Sequence, residues 1–187
     1  MNVTSKTTLG FWIYLMTDCI LFSVLFATYA VLHHNTFGGP SGQDLFELPF
    51  VLKETLLLLT SSFTCGLALI FARQNRQELA LGWLGVTFLL GATFLALELH
   101  EFSTLVAEGN SWRRSGFLTA FFTLVGTHGL HIAIGLTWAG VLALQVKSRG
   151  FTEGVLRRLT LFSMFWHFLD VIWIFIFTVV YLMGVAG

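Results

Sequence analysis

Along the chain, apolar positions gather into five long runs separated by short polar links. They cover Leu9–Leu32, Pro49–Ala72, Leu79–Val106, Phe117–Val146 and Thr160–Met183. Each is long enough for a helix to cross a hydrocarbon core of about 30 Å, which takes roughly 20 residues. Alternation of period two is absent and the runs are too long for barrel strands, so the pattern predicts helices. A bilayer core offers no water to backbone amides, so each segment must close its own hydrogen bonds, which a helix does. The expected fold is all-α: residues 1–187 as one integral membrane domain, a bundle of five transmembrane helices.

The links sharpen this picture. RQNRQE, from Arg73 to Glu78, is too short for anything but a turn between antiparallel neighbours, and GNSWRRSG, from Gly109 to Gly116, does the same for the third and fourth helices. KSRGFTEG before the last helix is basic and glycine-rich. The longest connection, HHNTFGGPSGQDLFEL from His33 to Leu48, carries turn chemistry in its Gly-Gly-Pro-Ser-Gly centre. Only Lys6 precedes the first run as a charge and no small-residue cleavage pattern follows it, so a retained helix is expected there rather than a signal peptide.

Composition agrees with a lipid environment. Apolar residues are 56% and charged residues 11% of the chain, against roughly 25% charged in a soluble domain. Mean hydropathy is +0.80. The few cations are unevenly placed. Lys6, Arg73, Arg76, Lys147, Arg149, Arg157 and Arg158 fall on one side, and Lys53, Arg113 and Arg114 on the other. The positive-inside rule then puts the amino terminus in the cytoplasm, the long His33–Leu48 connection outside, and the carboxyl terminus outside. The formal net charge is zero and no basic patch is interleaved with aromatics, which argues against nucleic acid as a partner. Cys19 and Cys65 both fall inside predicted helices with no C-x-x-C spacing, and read as small packing residues.

Ionisable residues inside the runs are the informative exceptions. Asp18, Glu54, Glu98, Glu101, His128, His131, His167 and Asp170 all lie within or at the edge of a span. Burying such a group in lipid costs about 2.5–3.5 kcal/mol even on insertion scales, so these residues are expected to face protein and to pair. Asp18, His131 and Asp170 should lie near mid-bilayer; Glu54, Glu98 and His128 in its outer half; Glu101 near the outer surface. His167 and Asp170 are three apart on one helix face, as are Glu98 with Glu101 and His128 with His131. Of Glu98 and Glu101, at least one is expected to be protonated or paired with a base from another helix, since like charges at low dielectric do not readily ionise together.

Each pair has a chemical and a structural reading. His128 and His131 would suit a haem or metal site, but metal-binding bundles use Glu-x-x-His with converging carboxylates, and His-Gly-Leu-His brings no carboxylate. Hydrogen bonding between helices is the expected role. Glu98 is expected to be a paired acid, with proton handling as the alternative. His167 with Asp170 is expected to be a clasp holding the last helix. Ser61, Ser62, Thr64 and Gly66 are small enough to let helices approach closely, and the Phe-rich faces read as packing or lipid contact. A freestanding transporter built around Asp18, Glu54 and Glu98 would show inverted repeats or helices broken at mid-membrane, and neither is visible.

Three blocks together resemble a known family. FWHFLDVIWIFIF, Phe165 to Phe177, is similar to the last helix of subunit III of haem–copper respiratory oxidases. AFFTLVGTHGLHIAIG, Ala120 to Gly135, resembles the preceding helix, and LELHEF, Leu97 to Phe102, matches the position of the family's membrane-embedded glutamate. The mitochondrial type has seven helices; this chain resembles a form lacking the first two. Its first helix, with Asp18 in TDCILF, followed by GGPSGQDLFELPFVLKETLLLL, most resembles the bacterial cytochrome o ubiquinol oxidase branch, with the cytochrome c oxidases as the alternative. The resemblance implies a non-catalytic subunit in the bacterial inner membrane, partnered by oxidase subunit I, other oxidase subunits and membrane lipids. It implies haems and copper in subunit I and none in this chain, bound phospholipid in a cleft, and support of proton uptake. By position, Glu98 would be the embedded acid, and His131, His167 and Asp170 members of the signature blocks.

Overall fold

The computed structural model describes residues 3–33, 35, 36, 38, 48–182 and 184, and side chains from Lys6 onward within that set. Most of the predicted glycine-rich connection between the first two helices, and the predicted end of the last helix at Met183, lie outside the described residues.

Five helices are long and apolar enough to cross a membrane. They are α1 (Val3–Leu32), α2 (Leu48–Arg73), α3 (Gln77–Ala107), α4 (Gly116–Arg149) and α5 (Glu153–Ile176), the last continuing through a π-helical segment, Phe177–Leu182. No strand occurs among the described residues. The last two helices begin at polar side-chain caps rather than where hydropathy rises. Ser115 accepts a hydrogen bond from the Leu118 amide at the start of α4, and Thr152 accepts one from Val155 at the start of α5. The expected start of the last helix at Thr160 is thereby corrected to Glu153, two turns earlier. At the tight α2–α3 link, Asn75 takes a left-handed φ of 60°, a conformation that asparagine tolerates better than most residues.

The chain runs up and down. α2 packs most extensively on α3, then α3 on α4, α4 on α5, and α5 back onto α2, closing a four-helix core. Residues that meet across each seam run in opposite senses: Ser61 reaches Thr87, Phe102 reaches Phe121, and Trp138 reaches Phe162. α1 stands outside that core, on α4 and to a lesser extent α5, and makes no substantial contact with α2 or α3. It presents Trp12, Ile13, Met16, Ile20 and Val24 outward, as a helix does when lipid covers its far side.

Trp166 locks the centre. Its indole is 1% exposed and wedged between two helices whose glycines make room for it. A Cβ on Gly91 of α3 would lie 2.8 Å from Trp166 Cη2, and one on Gly135 of α4 would lie 2.8 Å from Cζ3. The indole N–H donates to Ser61 Oγ of α2 at 3.0 Å, and Ser61 donates in turn to the Thr87 carbonyl of α3 at 3.2 Å. One side chain from α5 thus contacts all three other core helices. In lipid there is little hydrophobic drive between helices, so dispersion at such close approaches and a few interhelical hydrogen bonds hold the bundle.

Candidate functional site

The polar groups within the spans form three separate constellations. The first lies on the α1 seam. His131 of α4 places Nε2 at 3.7 Å from Asp18 Oδ2 of α1, while its Nδ1 is 2.7 Å from its own helix's Thr127 carbonyl. The Nδ1 contact orients the ring, and the pair joins the outlying helix to the core. His131 therefore acts between helices. His128, one turn earlier, does not: neither ring nitrogen has a hydrogen-bond partner, which corrects the expectation of an inter-helix bond. The imidazole is fully buried among aromatic rings. It stacks on Trp173 with centroids 5.2 Å apart and meets Phe94 edge-on at 6.0 Å. The physical reason is that Trp173 spends its own N–H on Thr55 Oγ1, at 3.1 Å, leaving its ring face to the imidazole.

The second constellation gathers acids from two helices and a phenol from a third. Glu54 of α2 and Glu98 of α3 are 0% and 1% exposed, and no oxygen of either carboxyl has a hydrogen-bond partner. Glu54, Glu98 and Glu101 lie close enough to repel one another. Of the two expected outcomes, protonation or pairing with a base, no base meets Glu98 or Glu101 among the described residues; Tyr181 donates its hydroxyl to Glu101 Oε2 at 3.2 Å. Tyr181 sits in the π-helical segment, whose wider turn changes the direction of its side chains relative to an α-helix. Glu98 is held against α4, where a Cβ on Gly129 would lie 2.8 Å from its Oε1. Phe94, Phe121 and Trp173 pack around the same region. Three carboxyls and a phenol gathered in a buried, aromatic-walled space are groups that can exchange a proton, with half-buried Glu101 as the most open member.

The third constellation is His167, Asp170 and Ser62. His167 does not reach inward: it is exposed, and its Nδ1 is hydrogen-bonded to Ser62 Oγ of α2. Asp170 is 8% exposed, near both His167 and Ser62, and its Oδ1 is buried without a partner. The hydrogen bond between α5 and α2 here runs through Ser62, whose small side chain the sequence marks only as a point of close approach. The expectation that every ionisable group turns inward fails at His167, because only its Nδ1 edge meets α2.

Tyr181, Thr55, Gly129 and the Trp166 wedge were not singled out by sequence reasoning. The glycines at 91 and 135 carry a weak signal, since small residues mark close helix contacts. Nothing in the local pattern foretells the π-helical turn. Among the described residues, no three side chains of His, Cys, Asp or Glu converge to hold a metal ion.

Recesses also lie between the helices. An apolar cavity of about 370 Å³ lies between α1 and α5, lined by Cys19, Phe22, Phe26, Ile172, Phe175 and Val179. A polar one of about 380 Å³ lies where α1 and α5 begin and α2 ends, lined by Thr8, Arg73, Glu153, Arg157 and Thr160.

The family model for cytochrome c oxidase subunit III matches residues 1–185. The chain belongs to that family. It is 58% identical over 179 residues to subunit 3 of the cytochrome bo(3) ubiquinol oxidase of Pseudomonas aeruginosa, a match covering 96% of this chain and 86% of that one. It is 46% identical over 185 residues to the bo(3) subunit 3 of Buchnera aphidicola, covering 99% and 95% of the two chains. It is 47% identical over 179 residues to a cytochrome c oxidase subunit 3 from a Bacillus species, covering 96% and 86%. The relatives thus include chains named for each of two oxidase types, ubiquinol and cytochrome c.

Proposed function

We propose that this chain is the non-catalytic subunit III of a proton-pumping terminal quinol oxidase. The observation that carries the reading is the 58% identity to a ubiquinol oxidase subunit 3 across nearly the whole chain. In that assembly electrons pass from quinol to dioxygen, water is formed, and the haems and copper reside in subunit I. This chain stabilises the catalytic subunit and supports proton uptake from within the bacterial inner membrane, with its amino terminus in the cytoplasm. The orientation is supported by the up-and-down course, which gathers Arg73, Arg76, Lys147, Arg149, Arg157 and Arg158 at one end of the bundle. Phospholipid binding is supported by the two recesses: Arg73 and Arg157 suit a phosphate headgroup, and the Phe-lined cavity suits an acyl chain. Proton handling is supported by the Glu54–Glu98–Glu101–Tyr181 cluster.

The test is purification of the assembly through a tag on this chain in mild detergent. A haem spectrum and ubiquinol-dependent oxygen uptake are expected, and isolation of this chain alone, or haem absorbance in the separated subunit, would overturn the reading. The relative named as a cytochrome c oxidase subunit favours a second reading with cytochrome c as donor. Oxygen uptake driven by reduced cytochrome c and not by ubiquinol would select it.

A further inference from the structure

The outward face of α5 presents a polar group where lipid should be. The continuous helix Glu153–Leu182 has 30 residues, and His167 is at its midpoint. At 1.5 Å per residue, His167 lies about 21 Å from either end, deep inside a hydrocarbon core about 30 Å thick. Yet His167 is exposed, and among the described residues Ser62 is its one hydrogen-bond partner. Beside it, Asp170 Oδ1 is buried and unpaired. The outer edge of the His167 ring thus has no hydrogen-bond partner among the described residues, at a depth where ionisable side chains otherwise face protein or a water-filled cavity.

The surroundings have the shape of a seat. α5 is the floor between α1 and α2, which make no substantial contact with each other. On the α2 side Gly66 leaves open space where a side chain would stand, and Leu59 is partly exposed. On α5, Val171 and Ile174 continue the face of His167 toward the helix end, 49% and 42% exposed. An open small-residue position beside a polar group is how one transmembrane helix receives another. Acyl chains have no hydrogen-bonding atoms, and a headgroup does not reach mid-bilayer.

We propose that this face of α5, between α1 and α2, seats a membrane-spanning helix of a partner subunit that carries a hydrogen-bonding side chain at the depth of His167 and Asp170. The proposal rests on the reading of this chain as one subunit of an assembly. It adds which surface is covered and by what chemistry.

The experiment uses the assembled complex, with the photo-reactive residue benzoylphenylalanine in place of Val171, or in a second preparation Ile174, and in a control at Leu56 on an exposed part of α2. After irradiation, adducts are mapped by mass spectrometry. The expected result is a covalent link from position 171 or 174 to an apolar spanning segment of a different co-purifying protein, with a polar residue within one turn of the linked position. His167→Leu should then lower retention of that protein through detergent washing about fivefold, with His167→Gln restoring it. Adducts only to lipid or detergent at both positions, as expected at Leu56, would overturn the proposal. So would a link to a second copy of this chain, or equal retention in wild type and His167→Leu. The haem spectrum of the same preparation reports separately on the functional reading: haem present without the link defeats the seat alone.

Discussion

Gly135→Ala is the most stringent probe of how this bundle is held. The added methyl would lie 2.8 Å from Trp166 Cζ3, 3.1 Å from its Cε3 and 3.3 Å from Phe165 Cε1. Carbon pairs are most stable at about 3.5–4.0 Å, so the indole would have to retreat by roughly 0.7 Å. It has nowhere to go, because another edge of the same ring already fills the space left by Gly91, and its N–H is tied to Ser61. Overpacking a tight contact of this kind costs about 1–3 kcal/mol. A cost of 2 kcal/mol lowers the midpoint of a chain this size by about 4–8 °C, read as the thermal loss of the monodisperse species in mild detergent. The decisive arm is a double-mutant cycle. Trp166→Phe forfeits the bond to Ser61, worth about 0.6 kcal/mol in membranes, and some packing, but it removes the ring atoms that obstruct the methyl. Gly135→Ala in the Trp166→Phe background should therefore cost less than half of what it costs alone. An equal cost in both backgrounds would refute the wedge.

Other perturbations separate structural from functional groups. Glu98→Gln should leave assembly largely intact and change quinol-driven oxygen uptake modestly; complete loss of uptake in a fully assembled complex would count against an accessory role. Tyr181→Phe should weaken thermal stability by about 0.6 kcal/mol through loss of the bond to Glu101, whereas Glu101→Gln, whose amide oxygen still accepts from the Tyr181 hydroxyl, should cost less in the same assay. Asp170→Leu should weaken subunit association more than turnover per complex, seen as a lowered ratio of this chain to its co-purifying partners. Thr152→Ala should cost about 1 kcal/mol by uncapping α5, while the exposed Thr60→Ala should be nearly neutral in the same thermal assay.

Much of this architecture was legible one residue at a time. Hydropathy decides the solvent, because a run such as Leu9–Leu32 carries a single charged residue, Asp18, among 24 positions, and length then decides the number of crossings. Short links such as RQNRQE make neighbours of the helices they join, and α2 and α3 are indeed the most extensively packed pair. The blocks around Glu98, His131 and Asp170 were sufficient to mark the family, since they stand in order along the chain.

Partnership was not legible, because it depends on rotation about each helix axis and on which helices meet. Asp18 and His131 are 113 positions apart and come together only when α1 lies against α4. His128 and His131 share a helix face, yet one meets a carboxylate and the other aromatic rings, a difference set by Trp173 arriving from α5. Tyr181 joins Glu101 across 80 positions from a π-helical turn that no local pattern announces. By itself the sequence determined that the chain is five lipid-crossing helices with a few costly polar residues. Tertiary structure alone decided which of those residues satisfy each other and which, like His167, are left facing outward, because an apolar surface accepts many helix rotations while a hydrogen bond accepts few.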